Sequence, residues 1–113
     1  MARAPIDRLP LTVPAFQILL ALVDGERHGY ALIRDIDQRT SGEVRLTAST
    51  LYGALARMLD AGLVEEAEAR VGGERRRSYR MTRRGRGVLR LEAERLARAA
   101  GWARDKRLLP GTP

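Results

Sequence analysis

"TASTLYGALARMLDAGLVEE", residues 47–66, reads as a helix that stops at a glycine and continues as a strand. Thr47 stands where a hydroxyl can cap the free N–H groups of a first turn. Leu51, Leu55, Met58 and Leu59 then recur at helical spacing, so one face of a helix from about Ala48 to Ala61 is apolar and core-facing. Gly62 follows as a residue able to take the left-handed conformation that ends a helix. The opposite face carries Ser49, Gly53, Ala56 and Arg57, with Thr50 and Tyr52 at its flanks. An ordinary surface helix would carry Glu and Lys there. A mid-helix glycine costs about 1 kcal/mol relative to alanine, so Gly53 asks for a reason.

Upstream, "TVPAFQILLALVDG" predicts a helix capped by Thr12, with Pro14 tolerated in the first turn and Gly25 as the stop. Phe16, Leu19, Leu20 and Val23 are the face expected to be buried. "HGYALIRDIDQRTSG" predicts a second amphipathic helix. Leu32, Ile33 and Ile36 lie on its inner side, and Ser41-Gly42 end it. Between this helix and the next, Val44 and Leu46 alternate with charges, which suits a brief strand.

Downstream, "LVEEAEAR" and "RRSYRMT" are strand-like and flank "VGGE", giving a β-hairpin that turns at Gly72-Gly73. Thr82 caps a final helix that runs to about Lys106. In it Leu89, Ala93, Leu96, Ala100 and Ala103 recur with a period near 3.5, a coiled-coil-like seam. The resulting class is α+β and mainly α: three helices plus a two-stranded β-hairpin wing, a winged helix-turn-helix, with a long helix appended. The expected divisions are a flexible N-terminal arm (1–10), the winged domain (11–82), a dimerisation helix (83–107) and a tail (108–113).

Composition narrows the chemistry. At 113 residues with 44% hydrophobic and 31% charged, the chain fits one small domain with a modest core, for which a partner chain would help bury surface. It contains no cysteine, which removes disulfides and thiolate metal sites and suits a cytoplasmic protein. The longest apolar run, Phe16 to Val23, is too short to span a bilayer, and the first ten residues lack the apolar stretch of a secretion signal. The net charge of +7 points to a polyanionic partner. It is also clustered: Arg70 to Arg90 holds nine arginines and one acid, Glu74.

The two features fit one partner. A helix entering the major groove of duplex DNA needs small side chains at Ser49, Gly53 and Ala56 for clearance. Ser49, Thr50, Tyr52 and Arg57 would then meet phosphates or base edges. Arg75, Arg76 and Arg77 on the wing would neutralise neighbouring phosphates. Arg83, Arg84 and Arg86 stand at the unfavourable end of a helix dipole, a cost that a nearby phosphate would offset. Taken alone, the bare helix face suits a poorly optimised surface helix equally well. A winged module for protein–protein contact and a basic RNA-associated protein also remain open. For catalysis there is little material. His28 reads as a cap or packing residue, and no serine has an identifiable base. Glu65, Glu66 and Glu68 read as a solvated strand edge in preference to a metal site. No cofactor is expected.

"HGYALIRDI", "LTASTLYGALARMLDAGLVEE" and "GGERRRSYRMTRRGR" together resemble the PadR family of bacterial transcriptional regulators, over about residues 11 to 107. Thr50, Leu51 and Tyr52 match the family's Thr-Leu-Tyr motif. Gly53-Ala54 departs from the larger residues expected at its centre. The resemblance implies a homodimeric winged-helix repressor reading two half-sites of one operator, with Tyr52 at the DNA surface. The dimer would form through the C-terminal helix, here by Leu89, Ala93, Leu96, Ala100, Trp102 and Ala103. The single C-terminal helix resembles the smaller subfamily. In some small members, aromatic residues on that helix line a pore that binds flat apolar compounds. Trp102 is the candidate for such a small-molecule effector site, or it packs in the dimer interface.

Overall fold

In the computed structural model, which describes residues 9–71 and 73–110, four helices enclose a core that a small sheet closes on one side. The elements are α1 (Val13–Ala21), β1 (Arg27–His28), α2 (Gly29–Arg39), α3 (Ala48–Asp60), β2 (Val64–Val71), β3 (Glu74–Met81) and α4 (Arg83–Asp105). Helix α1 is central and packs on α2, α3 and α4. Residues 1–8 of the expected arm, residues 111–113 of the tail and Gly72 of the turn lie outside the described residues.

Three threonines start three helices in the same way. The Thr12, Thr47 and Thr82 hydroxyls accept from the N–H groups of Ala15 (3.2 Å), Thr50 (3.1 Å) and Gly85 (3.0 Å). Each satisfies a donor that the first turn leaves free. Helix α3 ends as expected at Gly62, whose φ is 76°. The Leu63 N–H donates to the Met58 carbonyl at 2.9 Å, and the Gly62 N–H to that of Leu59 at 3.1 Å, which is the Schellman closure.

The orphan carbonyls beyond that closure are taken by the start of α4. Arg84 Nε donates to the Ala61 carbonyl (3.0 Å), the Thr82 hydroxyl to that of Gly62 (2.6 Å) and the Thr82 N–H to that of Leu63 (3.0 Å). Gly85 lies so close to the Leu63 carbonyl that a Cβ would collide with it. A basic residue at the start of α4 thus finds a structural use: Arg84 serves the negative end of α3.

Three expectations are revised. The buried side of α1 is Ala15, Ile18 and Leu19, followed by Leu22; Leu20 and Val23 reach the surface, and Phe16 is partly buried. Nearly every residue from 16 to 23 is apolar, so periodicity could not choose a face. The chain also tightens into a 3₁₀ turn at Leu22–Asp24, which changes the phase. Residues 43–47 form no strand, because the Val44 N–H is taken by the Thr40 hydroxyl (3.0 Å) while Val44 and Leu46 pack on the core. The third strand is β1, which pairs with the free edge of β3 at Arg27↔Tyr79 and His28↔Ser78, so the sheet order is β1-β3-β2. That pairing also buries Ser78, whose hydroxyl donates to the Ala67 carbonyl at 2.9 Å.

Helix α4 divides along its length. Leu89 is buried in the chain's own core and has little surface to offer a partner. One turn on, Glu92 is 2% exposed. Its Oε2 accepts from the Leu11 N–H at 2.8 Å, and its Oε1 accepts from Arg95 Nε at 2.6 Å. This carboxylate joins the segment before α1 to α4. Arg95 foremost, and then the Leu11 N–H, hold its pKa below the ordinary 4.5, while burial opposes them. A depressed carboxylate contributes stability that is present above its ordinary pKa and lost as pH falls through the folded value. Glu92→Ala is expected to lower stability by about 2–3 kcal/mol at neutral pH in urea denaturation. The difference from the parent chain should shrink as pH falls below 4.5.

Candidate nucleic-acid interface

Helix α3 is held from one side only. Leu51, Ala54, Leu55 and Met58 are buried, and each large side chain among them contributes about 1.5–3 kcal/mol of apolar burial. Their counterparts Ser49, Thr50, Ala56 and Arg57 are exposed, as the sequence pattern predicts. Thr50 also receives a hydrogen bond from the Thr47 hydroxyl at 3.0 Å, which orders the first turn of this face.

Gly53 lies in the middle of it. A Cβ there would meet only the Arg57 guanidinium, at 3.8 Å, an ordinary contact. Nothing within the described fold requires the glycine, in contrast to Gly85. Tyr52 is 40% exposed. Its phenol reaches over Gly29 at the start of α2, where a Cβ would strike the ring. Gly29 therefore seats Tyr52, a contact that the sequence reading missed; the only sign of it was a glycine at the head of an otherwise regular helix.

The wing stands beside this face. Strands β2 and β3 pair from Val64↔Met81 to Val71↔Glu74. Alternation along β3 sends Tyr79 and Arg77 to one side of the sheet and Ser78 and Arg76 to the other. The three wing arginines expected to act together are thus split. Arg77 Nε lies 3.6 Å from Glu66 Oε1. Tyr79, on the same side of the strand, is buried in one core cluster with Leu51 and Leu55, so this side of the sheet is the one next to α3. Burial pushes the Tyr79 phenol above its ordinary pKa, with Arg77 opposing. Arg76 is exposed and makes no ion pair among the described residues. The backbone of Arg75 pairs with Arg70 near the tip, and its side chain lies outside the described residues.

The glutamates of β2 are occupied. Arg80 is held between Glu65 (2.7 Å) and Glu26 (3.1 Å), and Arg77 by Glu66. β2 is an edge strand, so this charged row also discourages pairing with another chain. Among the described residues no three His, Asp or Glu side chains are grouped to hold a metal ion. No helix among them is long and apolar enough to cross a membrane.

Residues 18–91, from the middle of α1 to the third turn of α4, match the transcriptional regulator PadR-like family. The chain belongs to that family. The Thr-Leu-Tyr stretch and the basic wing both lie within the matched residues. Solved structures repeat the fold. A PadR family transcription regulator from hypervirulent Clostridium difficile superposes with a TM-score of 0.74 at 22% identity, covering 83% of this chain and 97% of that one. A PadR-like transcriptional regulator from Bacillus cereus gives 0.74 at 20% identity, over 87% and 94%. Bacillus subtilis PadR in complex with operator DNA gives 0.63 at 20% identity, over 92% of this chain and 51% of that one. An uncharacterized 37.1 kDa protein in transposon TN4556 of Streptomyces fradiae is 43% identical over 84 residues. The match takes in 74% of this chain, which spans 23% of that protein.

The PadR Thr-Leu-Tyr motif falls as Thr50 exposed, Leu51 buried and Tyr52 at the rim. Because Gly53 is free of internal contacts, Gly53→Ala should raise stability by about 0.5–1 kcal/mol, read as a higher midpoint of thermal or urea unfolding. A loss of stability would mean that the glycine serves the fold.

Proposed function

We propose that this PadR-like chain is a homodimeric repressor that binds an inverted-repeat operator through α3 and the wing. The observation that carries the reading is the outer face of α3, where an unneeded glycine lies among Ser49, Thr50, Tyr52 and Arg57 beside an arginine-bearing hairpin. A helix whose backbone has no internal reason to be bare is suited to close approach from outside, and the major groove of DNA admits a helix. Arg76, exposed and unpaired among the described residues, is suited to a phosphate. Bacillus subtilis PadR in complex with operator DNA supports the same use of the shared fold.

Support for the dimer comes from the second half of α4, where Leu96 is 39% exposed and Ala93, Ala100 and Ala103 share its side. Trp102, at 65% exposed, does not lie on that stripe. By helical geometry it lines up with Leu91, about three turns earlier and 56% exposed. The proposed interface therefore has two apolar stripes, with alanines for close helix approach on one and Trp102 on the other. A flat apolar effector, where one acts, would bind at Trp102 and act through the angle between the two halves.

Selection from random duplex DNA, read by sequencing, should enrich an inverted repeat. Lack of enrichment, with equal affinity for RNA, would sink the reading. Arg76→Ala should weaken binding to every duplex and reduce the slope of log K against log salt by about 0.9, the release of one phosphate's counterions. Sedimentation should show a dimer, and Leu96→Glu should shift it to monomer, with operator affinity falling more steeply than affinity for random sequence.

A further inference from the structure

The strand that carries the arginines of the wing is paired along its length with a strand of glutamates. One cross-strand ion pair lies on the side next to α3. Arg77 Nε is 3.6 Å from Glu66 Oε1, and Tyr79, two residues on, lies on the same side of the strand. The register sets a second carboxylate, Glu68, directly across from Arg77. The side chains of Arg77 and Glu66 are 66% and 45% exposed, so their pairing is loose, contributes little to stability and is open to exchange with another anion.

We propose that Glu66 is an internal competitor for DNA phosphate, holding Arg77 in the free chain and releasing it when the wing meets the duplex. This rests on the DNA-binding reading above. The exchange has a distinctive salt signature. A phosphate neutralised by a free arginine releases its condensed cation, and the salt dependence of binding counts such releases. When Arg77 leaves Glu66 for a phosphate, the phosphate loses a cation while the uncovered carboxylate attracts one. The contact is then nearly silent to salt. Glu66 also subtracts from affinity for every duplex alike. Because that loss is common to operator and random duplex, Glu66 sets the overall affinity and leaves the ratio between them unchanged.

The test compares Glu66→Gln with Glu65→Gln. Both remove one negative charge from adjacent positions of β2. Glu65 lies on the opposite side of the sheet, where it pairs with Arg80 at 2.7 Å. The probe is a mixed-sequence duplex of about three helical turns, titrated over a range of salt. E66Q should bind about fivefold tighter at low salt, with a slope steeper by about 0.9, while E65Q leaves the slope unchanged. In an Arg77→Ala background, E66Q should no longer change the slope. Thermal melts establish that each variant is folded. Equal shifts in E66Q and E65Q, or an E66Q effect that survives Arg77→Ala, would overturn the exchange while leaving DNA binding intact. A parent chain that binds no duplex would overturn the DNA-binding reading itself, before any variant is compared.

Discussion

Three consecutive carbonyls at the end of α3 govern the molecule. Ala61, Gly62 and Leu63 stand where a helix has used up its own donors, and each is met by a group from the first residues of α4 or its cap. Leu63 carries the junction furthest. Its N–H closes α3, its carbonyl holds Thr82, its side chain is fully buried, and its backbone leaves room only for a glycine at 85. The last turn of α3, the root of the wing and the first turn of α4 therefore meet at one point. The hairpin between them is placed by its ends, since β2 leaves this junction and β3 returns to it.

Much of this was legible in the sequence because it rests on local chemistry. The threonine caps, the glycine stop after α3, the hairpin and the apolar stripe of α3 each need only neighbouring residues to declare themselves. What stayed hidden depends on distant ones. The inner side of α1 could not be chosen from a run in which nearly every residue is apolar. β1 is two residues long and exists only because β3 has a free edge. Glu92 carries no local signal of its role, which exists only because the fold sets the Leu11 N–H and Arg95 against it. The seat of Tyr52 on Gly29 joins two helices and left no local pattern beyond the glycine.

The basic surface shows the same limit. Counting arginines marked the wing correctly as the concentrated positive region, but a count cannot tell which charges are engaged. Arg84 is committed to a carbonyl of α3, Arg80 to two glutamates, and Arg77 to one glutamate. Strand alternation further separates Arg76 from Arg77. The nine arginines between Arg70 and Arg90 thus overstate what the wing can offer to an anion at once, and the carboxylates of β2 matter as much as the arginines of β3.

The junction at Leu63 also makes α4 a lever. Its 23 residues extend about 35 Å at 1.5 Å per residue, with the fulcrum at the end joined to α3. A rocking of about 5° about that fulcrum carries the far end through roughly 3 Å. A connection made by a slack loop would absorb such a rotation. One made by three hydrogen bonds and a backbone contact passes it on, so the bearing of α4 and the bearing of α3 are a single quantity. In any assembly built on the outer half of α4, the stride between two copies of α3 would be geared to how those outer halves cross.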